Sequence, residues 1–457
     1  MNTTMFRVAS VKTLLSILCL LSFEIGNVLA YPLDGYHDTN IGRLEAASRI
    51  QDGRLKGSKQ PKGALLPRAQ VDLRLLEQPD LELPTPDETF SQQIKSLLGN
   101  KASRYGISVL DLSDPNNIRY AEHNGKHAQN PGSVGKLMVA LGVFQALADI
   151  YPDDVEARWR VLRETNIIAD EFIISDSHTV RMWDRENEKL IRRPLKIGDN
   201  GTMLEFLDWM ISPSSNAAAA TLTKHAMLLK QFGPQYPVSV EVANSYFKET
   251  EAKVLSETLA AAIEEPVERN GMDLTQMRQG SFFTRTGKRK VQGKTSYATS
   301  RELMKFVLLM EQGKLVDEFS SRELKRLMYV TERRIRYASA PALRDSAVYF
   351  KSGSWYGCEP EPDFVCKKYH GNVRNLMNSV AIVEAPAGDR NLFYVVTLMS
   401  NVLRRNSAVD HQTFATRTHR LIQSFHAPRL KREAEAASKP PSPTIIKQDG
   451  HEVHRFE

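Results

Sequence analysis

A serine and a lysine three residues apart stand at the start of a long apolar stretch. Ser133 and Lys136 follow the turn signal Pro131-Gly132, and residues 137–147 are almost all apolar. This pattern predicts a helix that is buried on most sides. Ser133 would lie at its N-terminus, with Lys136 one turn further on the same face.

This arrangement suits a nucleophile. The unpaired N–H groups and the dipole at a helix N-terminus favour the negative charge that develops as Ser133 attacks and an oxyanion forms. Lys136 can accept the serine proton only when it is neutral, and burial or a second nearby cation would lower its pKa. The alternative is a buried helix with an incidental match, because so short a motif often occurs by chance.

Two further short motifs follow in the chain. Ser214 and Asn216 occupy a polar turn between two apolar helices, where an ordinary helix cap is the alternative interpretation. Lys351-Ser352-Gly353 directly follows the extended residues 348–350. Each of the three motifs therefore stands in the local structure that its chemistry would need, which makes chance agreement of all three improbable.

Strands and helices must bring these motifs together. The alternation of apolar residues and the turn signals predict strands at 106–112, 118–121, 347–352, 379–383 and 392–398. Helices are predicted to begin near Thr85, at Thr202 and at the capping box Thr299-Ser300-Arg301-Glu302, and a last helix to span 409–425. The order is strands, then mostly helices from 151 to 345, then strands and a final helix.

Composition bounds the function. The 457 residues are 41% hydrophobic and 25% charged, which is typical of a globular protein with one large or two medium domains. The net charge of +7 comes from basic residues spread along the chain, so nucleic-acid binding is not indicated. No close set of ligands predicts a metal site, and we expect no cofactor.

The first 30 residues are typical of a signal peptide. Arg7 and Lys12 precede an apolar run at 14–23, and Val28-Leu29-Ala30 offers a cleavage site. An uncleaved anchor is the alternative, although the run is short for a membrane span. We therefore expect an exported protein, in the bacterial periplasm or secreted, in which Cys358 and Cys366 form a disulfide.

Two flanking regions carry little apolar periodicity. Residues 31–86 are rich in polar residues and proline, and we expect an extended N-terminal region that lies along the main domain. Residues 426–457 are charged and proline-containing, which predicts a disordered tail.

As a set, Ser133-x-x-Lys136, Ser214-x-Asn216 and Lys351-Ser352-Gly353 form the signature of serine β-lactamases and penicillin-binding proteins. Their order, spacing and flanks resemble class A β-lactamases, within the penicillin-recognising serine enzymes, over about residues 87–425. The resemblance implies an α+β fold: a five-stranded antiparallel sheet with flanking helices, and an all-helical domain inserted at about 130–345. The site would lie in the cleft between the two parts.

The resemblance also implies roles for the matching residues. Ser133 would attack a β-lactam amide or a D-alanyl peptide and form an acyl-enzyme, with Lys136 as its base and Ser214 passing a proton to the leaving nitrogen. Asn216 would hold Lys136 and the substrate amide, and Lys351 and Ser352 would bind the substrate carboxylate. The backbone N–H groups of Ser133 and Ser354 would form the oxyanion hole, and Gly353 and Ser354 would belong to the substrate-binding residues. No metal is needed.

Two departures from the family pattern concern the middle motif and deacylation. Ser215 stands where class A enzymes usually have aspartate, at a position that is mostly structural. No Glu-x-x-Leu-Asn pattern supplies the deacylating glutamate: counting forward from Asn216 leads near Glu249 and Glu251, and counting back from Thr299 leads near Thr284. The arginine that usually binds the substrate carboxylate is also not evident; Asn378 falls near its place, and Arg374 is the candidate.

Three functions remain open at this point. The first, which the sequence favours, is a β-lactamase that hydrolyses the antibiotic with turnover and contributes to resistance. The second is a D-alanyl-D-alanine carboxypeptidase, penicillin-binding protein or esterase on the same scaffold with slow deacylation, which would act on peptidoglycan. The third is a non-catalytic envelope protein, against which the intact Ser133, Lys136 and Lys351 argue. We expect a monomer in each case.

Overall fold

The strands lie near both ends of the folded region, with short pairs between them. The computed structural model describes residues 34–331 and 334–438, and the backbone alone of residues 444–448 and 451–455. Its strands are β1 (Tyr105–Asp111), β2 (Arg119–His123), β3 (Asn166–Ile168), β4 (Thr179–Asp184), β5 (Lys189–Pro194), β6 (Asn200–Thr202), β7 (Met277–Arg278), β8 (Tyr297–Ala298), β9 (Ala347–Gly357), β10 (Arg374–Ala385), β11 (Leu392–Asn401), β12 (Thr444–Gln448) and β13 (His451–Arg455).

The helices occupy most of the region between the two groups of long strands. They are α1 (Gly35–Thr39), α2 (Gly42–Gln51), α3 (Glu88–Ser96), α4 (Lys136–Ile150), α5 (Val155–Glu164), α6 (Met203–Ile211), α7 (Asn216–Phe232), α8 (Val240–Glu249), α9 (Ala252–Ile263), α10 (Glu265–Arg269), α11 (Arg285–Lys290), α12 (Ser300–Glu311), α13 (Glu318–Tyr329) and α14 (Ser407–Ala437).

Five of the strands form one antiparallel sheet in the order β2-β1-β11-β10-β9. Its register places Val109 opposite Val396, and Ser352 opposite Ser379. Strands β10 and β11 are buried along almost their whole length because helices cover both faces of the sheet. The predicted α+β fold with a five-stranded antiparallel sheet is confirmed.

The two faces of the sheet belong to separate apolar clusters. On one face, α3 and α14 contribute Phe90 and Phe414, which join Tyr394 of β11 in a buried cluster. On the other face, α12 lies across β1 and β11, and the Thr397 hydroxyl donates to the carbonyl of Ser300 at 2.7 Å. Strand β9 stands at the sheet edge, where it faces the helical region.

Helix α4 is the centre of the helical region. All of its residues from Lys136 to Leu147 are buried, and it packs against α7 and α9. By length and composition, residues 132–150 could cross a membrane, but 78% of this window is buried within the fold. A core helix explains the apolar run fully.

The inserted region is not purely helical, and Thr299 forms only half of its predicted capping box. The inserted region also contains the two-stranded pairs β3–β6, β4–β5 and β7–β8. The longest of these, β4–β5, could not be predicted because only one of its residues is fully buried. The Thr299 hydroxyl accepts from the Glu302 N–H, but the Glu302 carboxylate accepts from the Asp273 N–H at 2.7 Å instead of from Thr299.

The N-terminal region lies along the main domain, and it contains α1 and α2 as well as extended chain. Arg43 of α2 forms a buried ion pair with Asp208 of α6 at 2.5 Å. Further along, Arg74 contacts Glu384 of β10 at 3.0 Å. Ion pairs therefore tie this region to both the helical part and the sheet.

At the other end, α14 continues to Ala437, well past the predicted end at about 425. The disorder expected from residue 426 is therefore wrong for residues 426–437. His426 is one reason, because its ring is buried and contacts Asp111 of β1 at 2.8 Å. The predicted signal peptide, residues 1–30, lies outside the described residues.

Candidate active site

The turn that carries Ser133 is a 3-10 helix, Gly132–Gly135, and α4 begins directly after it at Lys136. Gly132 has a φ of +53°, which glycine adopts without strain. Ser133 is thus one turn before the α-helix rather than its first residue. The Ser133 Oγ lies 2.9 Å from the Lys136 Nζ.

The amine of Lys136 is fully buried among four oxygen atoms. They are the Ser133 Oγ at 2.9 Å, the Ser214 carbonyl at 2.8 Å, the Ser214 Oγ at 3.3 Å and the Asn216 Oδ1 at 2.7 Å. A neutral amine has two N–H donors and one lone pair. It can donate to the Ser214 carbonyl and the Asn216 Oδ1, which leaves the lone pair to accept the proton of Ser133.

The environment favours the neutral form of this amine. Burial lowers the pKa of Lys136 to about 7; the carboxylate of Asp176 opposes this shift, and the guanidinium of Arg336 adds to it. The Lys136 Nζ also lies 4.8 Å from the centre of the Phe283 ring. Lys136 can therefore serve as a base near neutral pH.

A second buried amine comes from the sheet edge. Lys351 of β9 is 2% exposed, and its Nζ lies 2.8 Å from the Ser214 Oγ. Burial, followed by the charges of Lys136 and Arg336, holds the pKa of Lys351 well below its usual value. The Ser214 hydroxyl thus bridges the two amines. Ser214 has a φ of +67°, a strained conformation of the kind that clusters at functional sites.

Gly353 allows β9 to contact the serine turn. A Cβ at this position would lie 2.3 Å from the Pro131 carbonyl oxygen and 2.5 Å from the Ser133 nitrogen. On the serine side, a Cβ at Gly132 would lie 3.1 Å from the Ser354 nitrogen. This close approach brings together the two backbone N–H groups that were predicted to form an oxyanion hole.

Arg336 is a residue of this site that could not be predicted from the sequence. Arg336 donates to the Ser352 Oγ at 2.8 Å and to the Ser354 Oγ at 3.0 Å. It lies in a 3-10 helix, Arg336–Ser339, and has a φ of +54°. No local motif marks it, because it reaches β9 from a loop before the strand.

The two positions considered for that arginine have other roles. Asn378 donates to the Asn130 carbonyl at 3.0 Å and accepts from Gln129 at 2.6 Å, so it fixes the chain before the serine turn. The Arg374 guanidinium lies 3.4 Å from the centre of the Trp355 ring. Neither residue is among those that line the cleft.

Asp176 supplies a carboxylate beside the middle motif, where Ser215 replaces the usual aspartate. It accepts from the Ser215 Oγ at 2.9 Å and from the Ala217 N–H at 2.8 Å. The ring of His178 contacts its other oxygen at 2.6 Å. Although burial opposes it, the His178 side chain and the backbone N–H groups of Ala217 and His178 hold the pKa of Asp176 below its usual value. Asp176 is 38 residues before Ser214 in the chain, so motif spacing could not identify it.

Residues 279–283, which face the serine turn, include no aspartate or glutamate. Gln279 contacts Gly135, and Phe283 covers Lys136. Glu249 ends α8, and Glu251 precedes α9; neither lines the cleft. Among all the described residues that line the cleft, none is an aspartate or a glutamate.

The structure thus brings the predicted site residues into one cleft. Ser133, Ser214, Asn216, Lys351, Ser352, Gly353 and Ser354 line it, and Lys136 lies directly beneath Ser133. The Cys358–Cys366 disulfide is formed and closes the loop that follows β9. Which chemical step each side chain performs stays a prediction.

Comparison with known proteins gives one family match. The sequence profile Beta-lactamase2, described as the β-lactamase enzyme family, matches residues 89–418. No curated protein matches the chain.

Solved structures also resemble the chain, at low identity. PBP-A is 14% identical with a TM-score of 0.48 over 75% of this chain and 99% of its own. A PBP-A mutant solved as an acyl-enzyme complex with penicillin G has the same identity and TM-score, over 75% of this chain and 100% of its own. A β-lactamase from Sphaerobacter thermophilus DSM 20745 is 15% identical with a TM-score of 0.46, over 73% and 97%.

Proposed function

Because the chain belongs to the β-lactamase enzyme family, we propose that it is a serine acyl-transfer enzyme whose Ser133 is acylated by β-lactams. The observation that supports this most strongly is the contact of 2.9 Å between the Ser133 Oγ and the buried Lys136 Nζ. A nucleophile within hydrogen-bond distance of a base, which is itself oriented by Asn216, is the arrangement that covalent catalysis needs.

Acylation would proceed in two proton-coupled steps. In the first, the Ser133 Oγ bonds to the β-lactam carbonyl carbon while its proton passes to the Lys136 Nζ. The oxyanion that forms is stabilised by the N–H groups of Ser133 and Ser354. In the second step, the C–N bond breaks, and the leaving nitrogen receives the proton of the Ser214 hydroxyl. Lys136 or Lys351 then donates a proton back to the Ser214 oxygen. Both amines lie close enough, at 3.3 and 2.8 Å.

The substrate carboxylate would bind on the β9 side of the cleft. Ser352 and Ser354 present hydroxyls there, and the Arg336 guanidinium already donates to both. The Arg336 guanidinium supplies the charge that a carboxylate requires, and the two hydroxyls supply further hydrogen-bond donors. Arg336 takes the place for which Asn378 and Arg374 were considered.

Deacylation would be slow. Hydrolysis of the acyl-enzyme needs a base that activates water, and the described residues that line the cleft include no carboxylate. Lys136 could act again, but Phe283 covers its amine. This favours a penicillin-binding enzyme that transfers or slowly hydrolyses D-alanyl peptides over the rapid β-lactamase that the sequence alone favoured.

Pre-steady-state kinetics with a chromogenic cephalosporin would test both parts of the proposal. We expect a burst of one equivalent per protein, followed by turnover slower than the burst by orders of magnitude. Labelling by a fluorescent penicillin should be lost in Ser133→Ala and retained in Ser281→Ala, which removes a different hydroxyl from the same cleft. Labelling that persists in Ser133→Ala would contradict acylation at Ser133, and sustained rapid turnover would contradict slow deacylation.

A further inference from the structure

The cleft around Ser133 is large, and the charged side chains among its described lining residues are all basic. Its volume is about 1520 Å³, above the range of roughly 300–1,000 Å³ that is usual for small-ligand sites. Seven of the described residues that line it are basic and none is acidic. The basic residues are Arg192, Lys288, Lys294, Arg334, Arg336, Lys351 and Lys368.

Not all of these charges are available to a ligand. Lys294 forms an ion pair with Glu264 at 3.1 Å, and Arg334 donates to the carbonyls of Leu343 and Ser346. In the part of the chain that the structure describes, Arg192 and Lys288 form no ion pair, and the side chains of both are exposed to the cleft.

Arg192 and Lys288 line the cleft from β5 and α11, and a hydrogen bond links α11 to the loop before the β4–β5 hairpin. Arg192 of β5 donates to the Thr179 hydroxyl at 3.0 Å, at the start of β4. The loop before β4 joins this hairpin to α11, because the Arg285 N–H donates to the Ser175 Oγ at 2.9 Å. Lys288 lies one turn further along α11. We call this surface, formed by α11 and the β4–β5 hairpin, the α11–hairpin wall.

The β9 side already supplies a complete carboxylate site in Lys351, Ser352 and Arg336. A single carboxylate on the substrate therefore leaves the charges of the α11–hairpin wall unmatched. Charges of one sign in a cleft focus the potential and raise the local concentration of anions. Phe283, which covers Lys136, comes two residues before α11, so the chain that forms the wall continues directly from the reacting centre.

We propose, on the basis of the proposed function, that the substrate is an acyl donor with a second anionic group, which binds at the α11–hairpin wall. The substrate class is then a peptide with a carboxylate on the acyl side of the reacting amide, in addition to its terminal carboxylate. Lys288 and Arg192 determine this specificity, and Ser133 and Lys136 perform the chemistry for any acyl donor.

Three penicillins that share a nucleus and differ in side-chain charge test this directly. The side chain carries a carboxylate in carbenicillin, no charge in benzylpenicillin and an amine in ampicillin. The second-order rate constant for acylation of Ser133, followed by intact mass, should be largest for carbenicillin and smallest for ampicillin at low ionic strength. The ratio of the carbenicillin rate constant to the ampicillin rate constant should decrease in high salt, because salt screens the interaction between exposed charges.

The double variant Lys288→Gln with Arg192→Gln should reduce the carbenicillin-to-ampicillin ratio by about two- to fivefold per charge removed. Benzylpenicillin should acylate this variant at nearly the wild-type rate, which shows that the fold and the nucleophile are intact. Lys253→Gln is the control, since this side chain is 83% exposed on α9 and does not line the cleft.

An unchanged ratio in the double variant, with normal benzylpenicillin acylation, would overturn the second anionic site and leave the proposed function standing. Failure of all three penicillins to acylate the wild-type protein would overturn the proposed function, and this inference with it.

Discussion

Burial in the fold, more than any neighbouring charge, favours the neutral form of the Lys136 amine. Its amine is buried beneath Ser133, and two charged groups act on it in opposite directions: Asp176 raises its pKa, and Arg336 lowers it. The base and the groups that set its protonation come from three separate segments of the chain. Changes at each segment should therefore move the pH dependence of acylation in a defined direction.

The acylation rate should rise with pH through about 7. Lys136 accepts the serine proton only in its neutral form, and its pKa is lowered to about 7, so the neutral fraction grows as pH increases past that value. The measurement is the second-order rate constant of penicillin acylation between pH 5 and 9. A rate that decreases as pH rises through this range would contradict Lys136 as the base.

Asp176→Asn should move the pH at which the acylation rate is half its maximum to a lower value. The carboxylate raises the pKa of Lys136, so its removal lets burial and Arg336 lower that pKa further. Loss of charge-assisted hydrogen bonds to Ser215 and Ala217 should also reduce the free energy of unfolding by about 1–3 kcal/mol. Asp153→Asn, which changes an exposed acid outside the cleft, serves as the control and should change neither quantity.

A shift of the Asp176→Asn profile to higher pH would show that the carboxylate does not act on Lys136 in this way. Thermal unfolding of the same samples separates this effect from a loss of structure.

Residues in short motifs could be predicted, and residues that reach the site from elsewhere could not. Ser133 and Lys136 are three apart, so one turn of backbone fixes their relation and the sequence shows it. Arg336 and Asp176 depend on how loops close over the cleft, and nothing in their neighbours reveals that. The lack of a Glu-x-x-Leu-Asn pattern is visible in the sequence, but the packing of Gln279 against Gly135 and of Phe283 against Lys136 required the structure.

At the scale of elements, the contact between β9 and the serine turn joins the two halves of the site. The strand carries Lys351 and Ser352, and the turn carries Ser133. Between Lys351 and Tyr356 of β9, Gly353 is the only residue without a side chain. The backbone of β9 meets the backbone of the serine turn at this residue.

Gly353→Ala should separate β9 from the serine turn. The added Cβ would meet backbone atoms of Pro131 and Ser133 at 2.3 and 2.5 Å, and backbone cannot move aside as a flexible side chain does. We expect acylation to fall about 100-fold, since a displacement near 1 Å is enough for such a loss. Stability should fall by about 1–3 kcal/mol.

Gly357→Ala on the same strand is the matched control, because its Cβ would meet only the Arg374 Nη2 at an ordinary 3.5 Å. Acylation and unfolding should be measured for both variants side by side. Equal behaviour of the two would show that the close approach at Gly353 does not control the site.

At the scale of the whole molecule, the N-terminal region holds the helical part and the sheet in place. Arg43 donates two hydrogen bonds to Asp208, and both side chains are buried. Arg74 reaches Glu384, which is also paired with Lys325 of α13 at 3.2 Å. The cleft lies between the parts that these ion pairs connect.

Arg43→Met should reduce the free energy of unfolding by about 3–5 kcal/mol, because it leaves Asp208 buried without its cation. Arg54→Met removes an exposed ion pair with Asp52 from the same region and should cost at most about 1 kcal/mol. Chemical denaturation of the two variants gives both values. A loss in Arg43→Met no greater than in Arg54→Met would contradict a structural role for the N-terminal region.

The sheet and its order along the chain could be predicted because apolar alternation and turns are local signals. Strands β10 and β11 and the helices α4 and α6 lie where the sequence placed them, within a few residues. The hairpin β4–β5 has a half-buried surface and gave no such signal, and α14 continues past residue 425 because His426 packs on the sheet. Tertiary contacts decided both cases.

The most direct test of the account is the intact mass of the protein after exposure to benzylpenicillin. We predict an increase by the mass of one penicillin molecule, located by peptide mapping on the peptide that contains Ser133, absent in Ser133→Ala and long-lived after the free drug is removed. An unchanged mass after prolonged exposure, or modification of a different residue, would contradict acyl transfer at Ser133.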